Sequence, residues 1–145
     1  FVCDVPGSGD SKVVANTTVC GYATVSGEAE GYSCACVCVN AWVFGNAEVS
    51  GDARVFGDAE VYGDARVYGD ARVCRNADYA TIKGFGTEYR TTTFFKCRDR
   101  VTRVRCGCFY GDLEQFRNQV KNTRKGKIAE EYLMIADLME KHFDK

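Results

Sequence analysis

A parallel β-helix of short strands, closed at its C-terminal end by a small α+β unit, is the fold class predicted for this 145-residue sequence. Three observations carry that prediction. The stretch VSGDARVFGDAEVYGDARVYGDARV, from Val49 to Val73, writes V-x-G-D-A-(R/E) four times without an insertion. The same frame starts hexads at 13, 19, 25, 31, 37, 43, 49, 55, 61, 67 and 73, with Val first in all but the one at Gly31. The fifth position is Thr17 and then Ala at every hexad from 23 to 77. Beyond Asp78 the frame stops, and strand-like alternation gives way to a helical period.

A six-residue period fits no helix face, and a Gly-Asp or Gly-Asn pair punctuates most units, so each hexad reads as one short strand and one corner. Hexapeptide repeats stack as a parallel β-helix, with three hexads, about 18 residues, closing one triangular coil. Two weaker hexads, FVCDVP and GSGDSK, carry the frame back to Phe1 and make thirteen without a slip. That predicts a little over four coils, roughly 20 Å tall. The frame is already running at Phe1, so a few residues, the initiator Met among them, are expected upstream. Within each rung Val and the Ala two residues before it should point inward, because side chains alternate along a strand. Gly supplies the backbone angles of the corner, and Asp or Asn beside it bonds the turn. Stacked acids such as Asp52 and Asp70 are turn chemistry on this reading, with a held cation as the alternative.

Residues flanking the inward Val point outward and sort into three faces. One stacks Thr18 and Cys20, Cys36 and Cys38, Arg54 and Phe56, Arg72 and Cys74. A second stacks Thr24 and Ser26, Trp42 and Phe44, Glu60 and Tyr62. The third stacks Lys12 and Val14, Glu30 and Tyr32, Glu48 and Ser50, Arg66 and Tyr68. On the second face Trp42 is expected beside Phe44 and over Tyr62, an aromatic patch that a monomer seldom leaves bare. It predicts a homo-oligomer, dimer or trimer; the alternative is a ladder that only stiffens neighbouring rungs. Cys20, one rung from Cys38, reads as part of a row of packed thiols.

After the repeat, Tyr79 takes the Val slot. TIKGFG, TTTFFKC and VTRVRCGCF then alternate as strands, with Arg98-Asp99-Arg100 as a hairpin turn. Asp112 and Gln115 form a capping box for a first helix, DLEQFRNQVKN, whose Leu113, Phe116 and Val120 share a face. Gly126 separates it from a second helix, Ile128 to Phe143, with Ile128, Tyr132, Ile135, Met139 and Phe143 in register. The division is 1–78 for the coil and 79–145 for a capping and interaction region, which should cover the open end of the coil, since an exposed terminal rung invites edge pairing.

No run of about 18 apolar residues spans a membrane, and the first residues lack a signal-peptide pattern. Nine cysteines, an odd number, follow the repeat rather than a disulfide framework, which favours reduced thiols in a cytoplasm. Cys97, Cys106 and Cys108, with Cys74 as a fourth candidate, invite a zinc reading. Their C-x8-C-x-C spacing is not the paired zinc signal, although alternation should put Cys106 and Cys108 on one strand face; packed thiols, with no metal and no cofactor, are the default. The net charge of −1 hides an uneven distribution. Residues 1–78 carry 5 Lys/Arg against 11 Asp/Glu, 79–127 carry 12 against 4, and 128–145 carry 2 against 5. Lys96, Arg98, Arg100, Arg103, Arg105, Arg117, Lys121, Arg124, Lys125 and Lys127, interleaved with Phe and Tyr, are the predicted footprint for a host protein or an acidic or phosphorylated ligand.

The repeat resembles the left-handed β-helix of hexapeptide-repeat proteins, whose consensus has an aliphatic residue followed four positions later by a small one. The resemblance covers residues 1–78 and implies left-handed coils and frequent trimers. The tail from TTTFFKC to MEKHF resembles the C-terminal region of hexapeptide-repeat proteins of bacteriophages and prophages, which implies a small phage-type protein acting inside a host cell. Enzymes of the repeat class, acyltransferases and carbonic anhydrase-like proteins, use histidines in or between coils. This chain has only His142, at the end of the second helix. The expectation is therefore a non-enzymatic binder that inhibits or sequesters a host factor, whether a defence protein, a nucleotide signal or a nucleic acid, through the basic C-terminal region, with a structural scaffold as the alternative and an acyltransferase-like enzyme disfavoured.

Overall fold

The computed structural model describes residues 12–13, 18–22, 24–31 and 35–144. FVCDVP, GSGDSK apart from Lys12, and the expected face residues Val14 and Tyr32 lie outside the described residues. The repeat folds as short strands: β1 (Lys12–Val13), β2 (Thr18–Gly21), β3 (Thr24–Val25), β4 (Glu30–Gly31), β5 (Cys36–Val39), β6 (Trp42–Val43), β7 (Glu48–Val49), β8 (Arg54–Val55), β9 (Glu60–Val61), β10 (Arg66–Val67) and β11 (Arg72–Val73). Every third strand pairs in parallel, giving the sheets β1-β4-β7-β10, β2-β5-β8-β11 and β3-β6-β9. The register steps by three hexads, so Glu48 lies opposite Arg66, Cys20 opposite Cys38, and Trp42 opposite Glu60. These are the stacked parallel sheets of a β-helix-like coil.

The period of six produces this coil because it keeps one pair of small apolar side chains inside each rung. Val43, Val49, Val55, Val61, Val67 and Val73 are at most 1 % exposed, and the Ala two residues before each is fully buried. The corners need left-handed backbone: Gly51 has φ 73°, and a Cβ there would stand 3.0 Å from the backbone of Gly69 one rung away. Val39 occupies the same corner slot at φ 67°, where a β-branched side chain costs about 1–2 kcal/mol. Beside the corners, the Asn40 amide donates to Asp58 Oδ1 at 3.1 Å and Asn46 to Asp64 Oδ1 at 3.2 Å, so an amide rather than a second carboxylate stands next to Asp58 and Asp64.

A 3-10 turn, Asn76–Asp78, leads out of the coil into β12 (Tyr79–Ile82), β13 (Thr92–Lys96), β14 (Thr102–Cys106) and β15 (Phe109–Asp112), then α1 (Leu113–Thr123) and α2 (Gly126–Phe143). The expected hairpin is a four-stranded antiparallel sheet in the order β12-β13-β14-β15. The additional strand is β15, which returns through a two-residue turn with Gly107 at φ 58°. TIKGFG contributes only its first two residues to a strand, which begins earlier at Tyr79, and α2 begins at Gly126, two residues before Ile128. The capping box closes as expected: Asp112 Oδ1 accepts from the Gln115 N–H at 2.8 Å, and Gln115 Oε1 from the Asp112 N–H at 3.0 Å.

Alternation along β13 divides its side chains between two cores. Phe94 packs with Val104, Phe116, Tyr132 and Met139 under the helices, whereas Phe95 joins the Val/Ala core of the coil together with Tyr79 and Cys97. The last rung finds its backbone partners in the cap. The Arg66 N–H donates to Thr93 Oγ1 at 3.0 Å, the Arg98 N–H to the Asp70 carbonyl at 3.1 Å, and the Tyr79 hydroxyl to the Glu60 carbonyl at 2.6 Å. The open edge is thereby closed rather than left as a pairing template. No described helix is long and apolar enough to cross a membrane.

Candidate functional site

Where the cap crosses the last rung, a cleft of about 790 Å³ opens between the two. The coil supplies Arg72, Cys74 and Arg75, with Phe56 one rung below. The cap supplies Lys96, Arg98 and Arg100, and the end of α2 supplies Phe143 and Asp144. A tight turn presents the two cap arginines. The Cys97 N–H reaches the Val101 carbonyl at 3.1 Å, the Arg100 N–H reaches the Cys97 carbonyl at 2.9 Å, and Arg100 sits at φ 67°. Arg72, Arg98 and Arg100 are exposed and Lys96 is half-buried. Among the described residues, Arg75 alone of these five cations has a carboxylate within ion-pair reach, Asp78 at 3.5 Å.

Asp78 is 5 % exposed and closes the coil. Its Oδ2 accepts from the Cys74 N–H at 3.1 Å, the Arg75 N–H at 3.0 Å and the Cys74 thiol at 3.0 Å. Burial alone would raise its pKa, but these donors and the Arg75 guanidinium outweigh it and hold the carboxyl below its ordinary range. The same bond, with burial adding to it, raises the Cys74 thiol. Burial, reinforced by the Asp70 carboxylate, pushes Cys97 up to about 12, so neither thiol is an activated nucleophile.

Two smaller recesses flank the cleft, and both carry acids. One of about 390 Å³ shares Arg100, Phe143 and Asp144 with it and adds Asp112, Glu114 and Glu140. The other, of about 290 Å³, shares Arg72 and Arg98 and adds Asp52, Arg54 and Asp70. Asp52 and Asp70 thus stand among three guanidinium groups. Among the described residues no three His, Cys, Asp or Glu side chains converge as metal ligands.

The ten basic residues singled out by sequence are spread over different parts of the cap. Lys96, Arg98 and Arg100 come together in the cleft. Arg103 is tied to Asp99 at 2.7 Å, and Arg117 to Asp137 at 2.9 Å and Glu140 at 2.8 Å. Arg105 lies 5.1 Å from the centre of the Tyr68 ring, which meets Tyr110 edge-on. Lys121 in the last turn of α1, Arg124 and Lys125 in the connection and Lys127 in the first turn of α2 lie about 15 Å along α1 from the end near Arg100, and Lys127 pairs with Glu131 at 3.6 Å. The three cysteines also separate. Cys97 is in the coil core, Cys106 lies on the helix side of the sheet and accepts from the Thr92 hydroxyl at 3.1 Å, and Cys108 is exposed. Cys108 occupies the turn between β14 and β15, not the strand face it was expected to share with Cys106, because the chain reverses at Gly107.

On the second coil face Trp42 lies over Glu60, not over Tyr62, since residues one rung apart keep the same place in the hexad. Phe44 is the residue over Tyr62, stacked at 5.3 Å, and Trp42 meets the edge of Phe44 at 6.4 Å. Trp42 and Tyr62 remain more than half exposed.

Arg72, Arg75 and Phe56 were not among the sequence candidates. A signal for Arg75 is present: in VCRNAD, the last hexad, it stands where the five hexads before it carry Gly. No family model, curated protein or solved structure matches the chain.

Proposed function

We propose that the protein is a non-enzymatic binder of an acidic or phosphorylated ligand, held in the basic cleft between the coil and its cap. The observation that supports this best is the convergence of Arg72, Lys96, Arg98 and Arg100, none with an ion-pair partner among the described residues, on one concave site. Four cations side by side repel one another until an anion joins them, and a cleft between low-dielectric walls strengthens its field. The single histidine supports a binding role over an acyltransferase-like one, because His142 packs on Phe143 at the end of α2, outside the repeat. On this proposal the repeat is a left-handed coil of about four turns, and the resemblance of the chain to phage proteins makes the ligand a host-cell factor whose sequestration is the biological output.

The exposed Trp42, with Phe44 and Tyr62, favours a further element of the same reading, a homo-oligomer joined through this coil face. A scaffold role is the second reading, and the uniform rungs below the cleft favour it.

Calorimetric titration with inorganic tripolyphosphate tests the cleft. Saturable binding, reduced at least tenfold by Arg98→Glu with Arg100→Glu in a protein of unchanged melting temperature, is expected. Binding that survives the double reversal overturns the cleft as the site. Light scattering that shows a monomer at working concentration removes the oligomer.

A further inference from the structure

Resting on the anion-binding reading of the cleft, we infer that its ligand is a nucleotide carrying two or three phosphates, with the base on Phe56 and the phosphates on Arg72, Lys96, Arg98 and Arg100. The inference begins with size. A cleft of about 790 Å³ falls in the range of small-molecule sites, roughly 300–1,000 Å³. Charge then limits length. The recess beyond Arg100 adds Asp112, Glu114 and Glu140 against the one guanidinium of Arg117, and the one beyond Arg72 and Arg98 adds Asp52 and Asp70 against that of Arg54. A nucleic-acid strand leaving the cleft in either direction would meet more carboxylates than added cations, whereas a compact anion would stay among the cations.

The ring completes the inference. Phe56 is the aromatic residue of the cleft that belongs to the coil, and it is half-buried between the rung of Cys38 and the rung of Cys74. Phe95, Tyr110, Phe94 and Phe116 all spend their faces or edges on other rings, whereas Phe56 has no ring partner among the described residues. An aromatic ring with no ring partner, lining the same cleft as a cluster of guanidinium groups, is the combination that stacks a base and holds its phosphates. An inorganic polyphosphate would use the cations and waste the ring.

The test compares adenosine triphosphate, inorganic tripolyphosphate and a 20-nucleotide thymidine strand by calorimetry on the full chain. Expected is one nucleotide per chain, bound about tenfold or more tightly than tripolyphosphate, with Phe56→Ala erasing the difference and Phe56→Trp preserving it. Arg98→Glu should weaken both small ligands. Equal binding of the nucleotide and tripolyphosphate, unaltered by Phe56→Ala, overturns the nucleotide assignment and leaves the anion site standing. A strand that binds more tightly than the nucleotide also overturns it. Binding of neither small probe overturns the anion reading itself.

Discussion

Inside the coil the core is Val and Ala, each with a copy of its own environment one rung away; inside the cap it is Phe94, Phe116, Tyr132, Ile135, Met139 and Phe143, no two in equivalent surroundings. The first core is specified by repetition and the second by shape. A prism of small side chains tolerates many rungs because every layer solves the same packing problem. Interlocked rings such as Phe94 and Phe116, edge-on at 6.1 Å, solve theirs once. The basic cleft lies where the two meet, because there the repeat stops supplying its own neighbours.

The substitution that breaks this comparison most strongly is Phe95→Ala. Phe95 is fully buried, rises from the cap sheet and packs in the coil core. A loss of about 3–5 kcal/mol in urea unfolding is expected, with both regions melting together. A loss no larger than that of Val55→Ala would show that the junction does not couple them.

Next in size is Asp78→Asn, expected to cost about 2 kcal/mol at neutral pH through weakened bonds to the Cys74 and Arg75 N–H groups. The folded pKa of Asp78 is lowered, so its stabilisation is complete above the ordinary carboxylate value and is lost as pH falls through the folded one. The gap between wild type and Asp78→Asn should therefore close as pH drops below about 4. A gap that widens in acid would contradict the bonding seen around Asp78.

Smallest and opposite in sign is Val39→Gly. Relief of the left-handed backbone strain should exceed the entropy cost of glycine, raising stability by about 0.5–1 kcal/mol. A lower urea midpoint would show that the Val39 side chain contributes more than its strain costs.

How much was legible in the sequence follows the same division. The inward Val and Ala, the Gly corners, the rung register and the capping box at Asp112 are local or periodic, and each can be read from residue type and spacing. β15 was missed because FYGD is short and its turn signal, Gly107, had been absorbed into a longer strand. At the cleft, Lys96, Arg98 and Arg100 stood out by charge, but Arg72 and Phe56 look like ordinary outward positions of a scaffold. Only the path of β13 across β11, marked by the bridge between Ala71 and Cys97, makes them neighbours of the cap. Arg103 and Arg117 show the converse: their partners Asp99, Asp137 and Glu140 cancel a charge that a count along the chain had left standing.

The parallel register gives the molecule one property that its core and its cleft do not reveal separately. Because Glu30, Glu48 and Arg66 follow one another at a constant interval, an added block of three hexads below β8 would reproduce existing contacts and leave Arg72, Cys74, Arg75 and the whole cap undisturbed. Coil length and cleft geometry are thus independently adjustable: the coil is a ruler that can be extended from below, and the cleft travels unchanged on its tip.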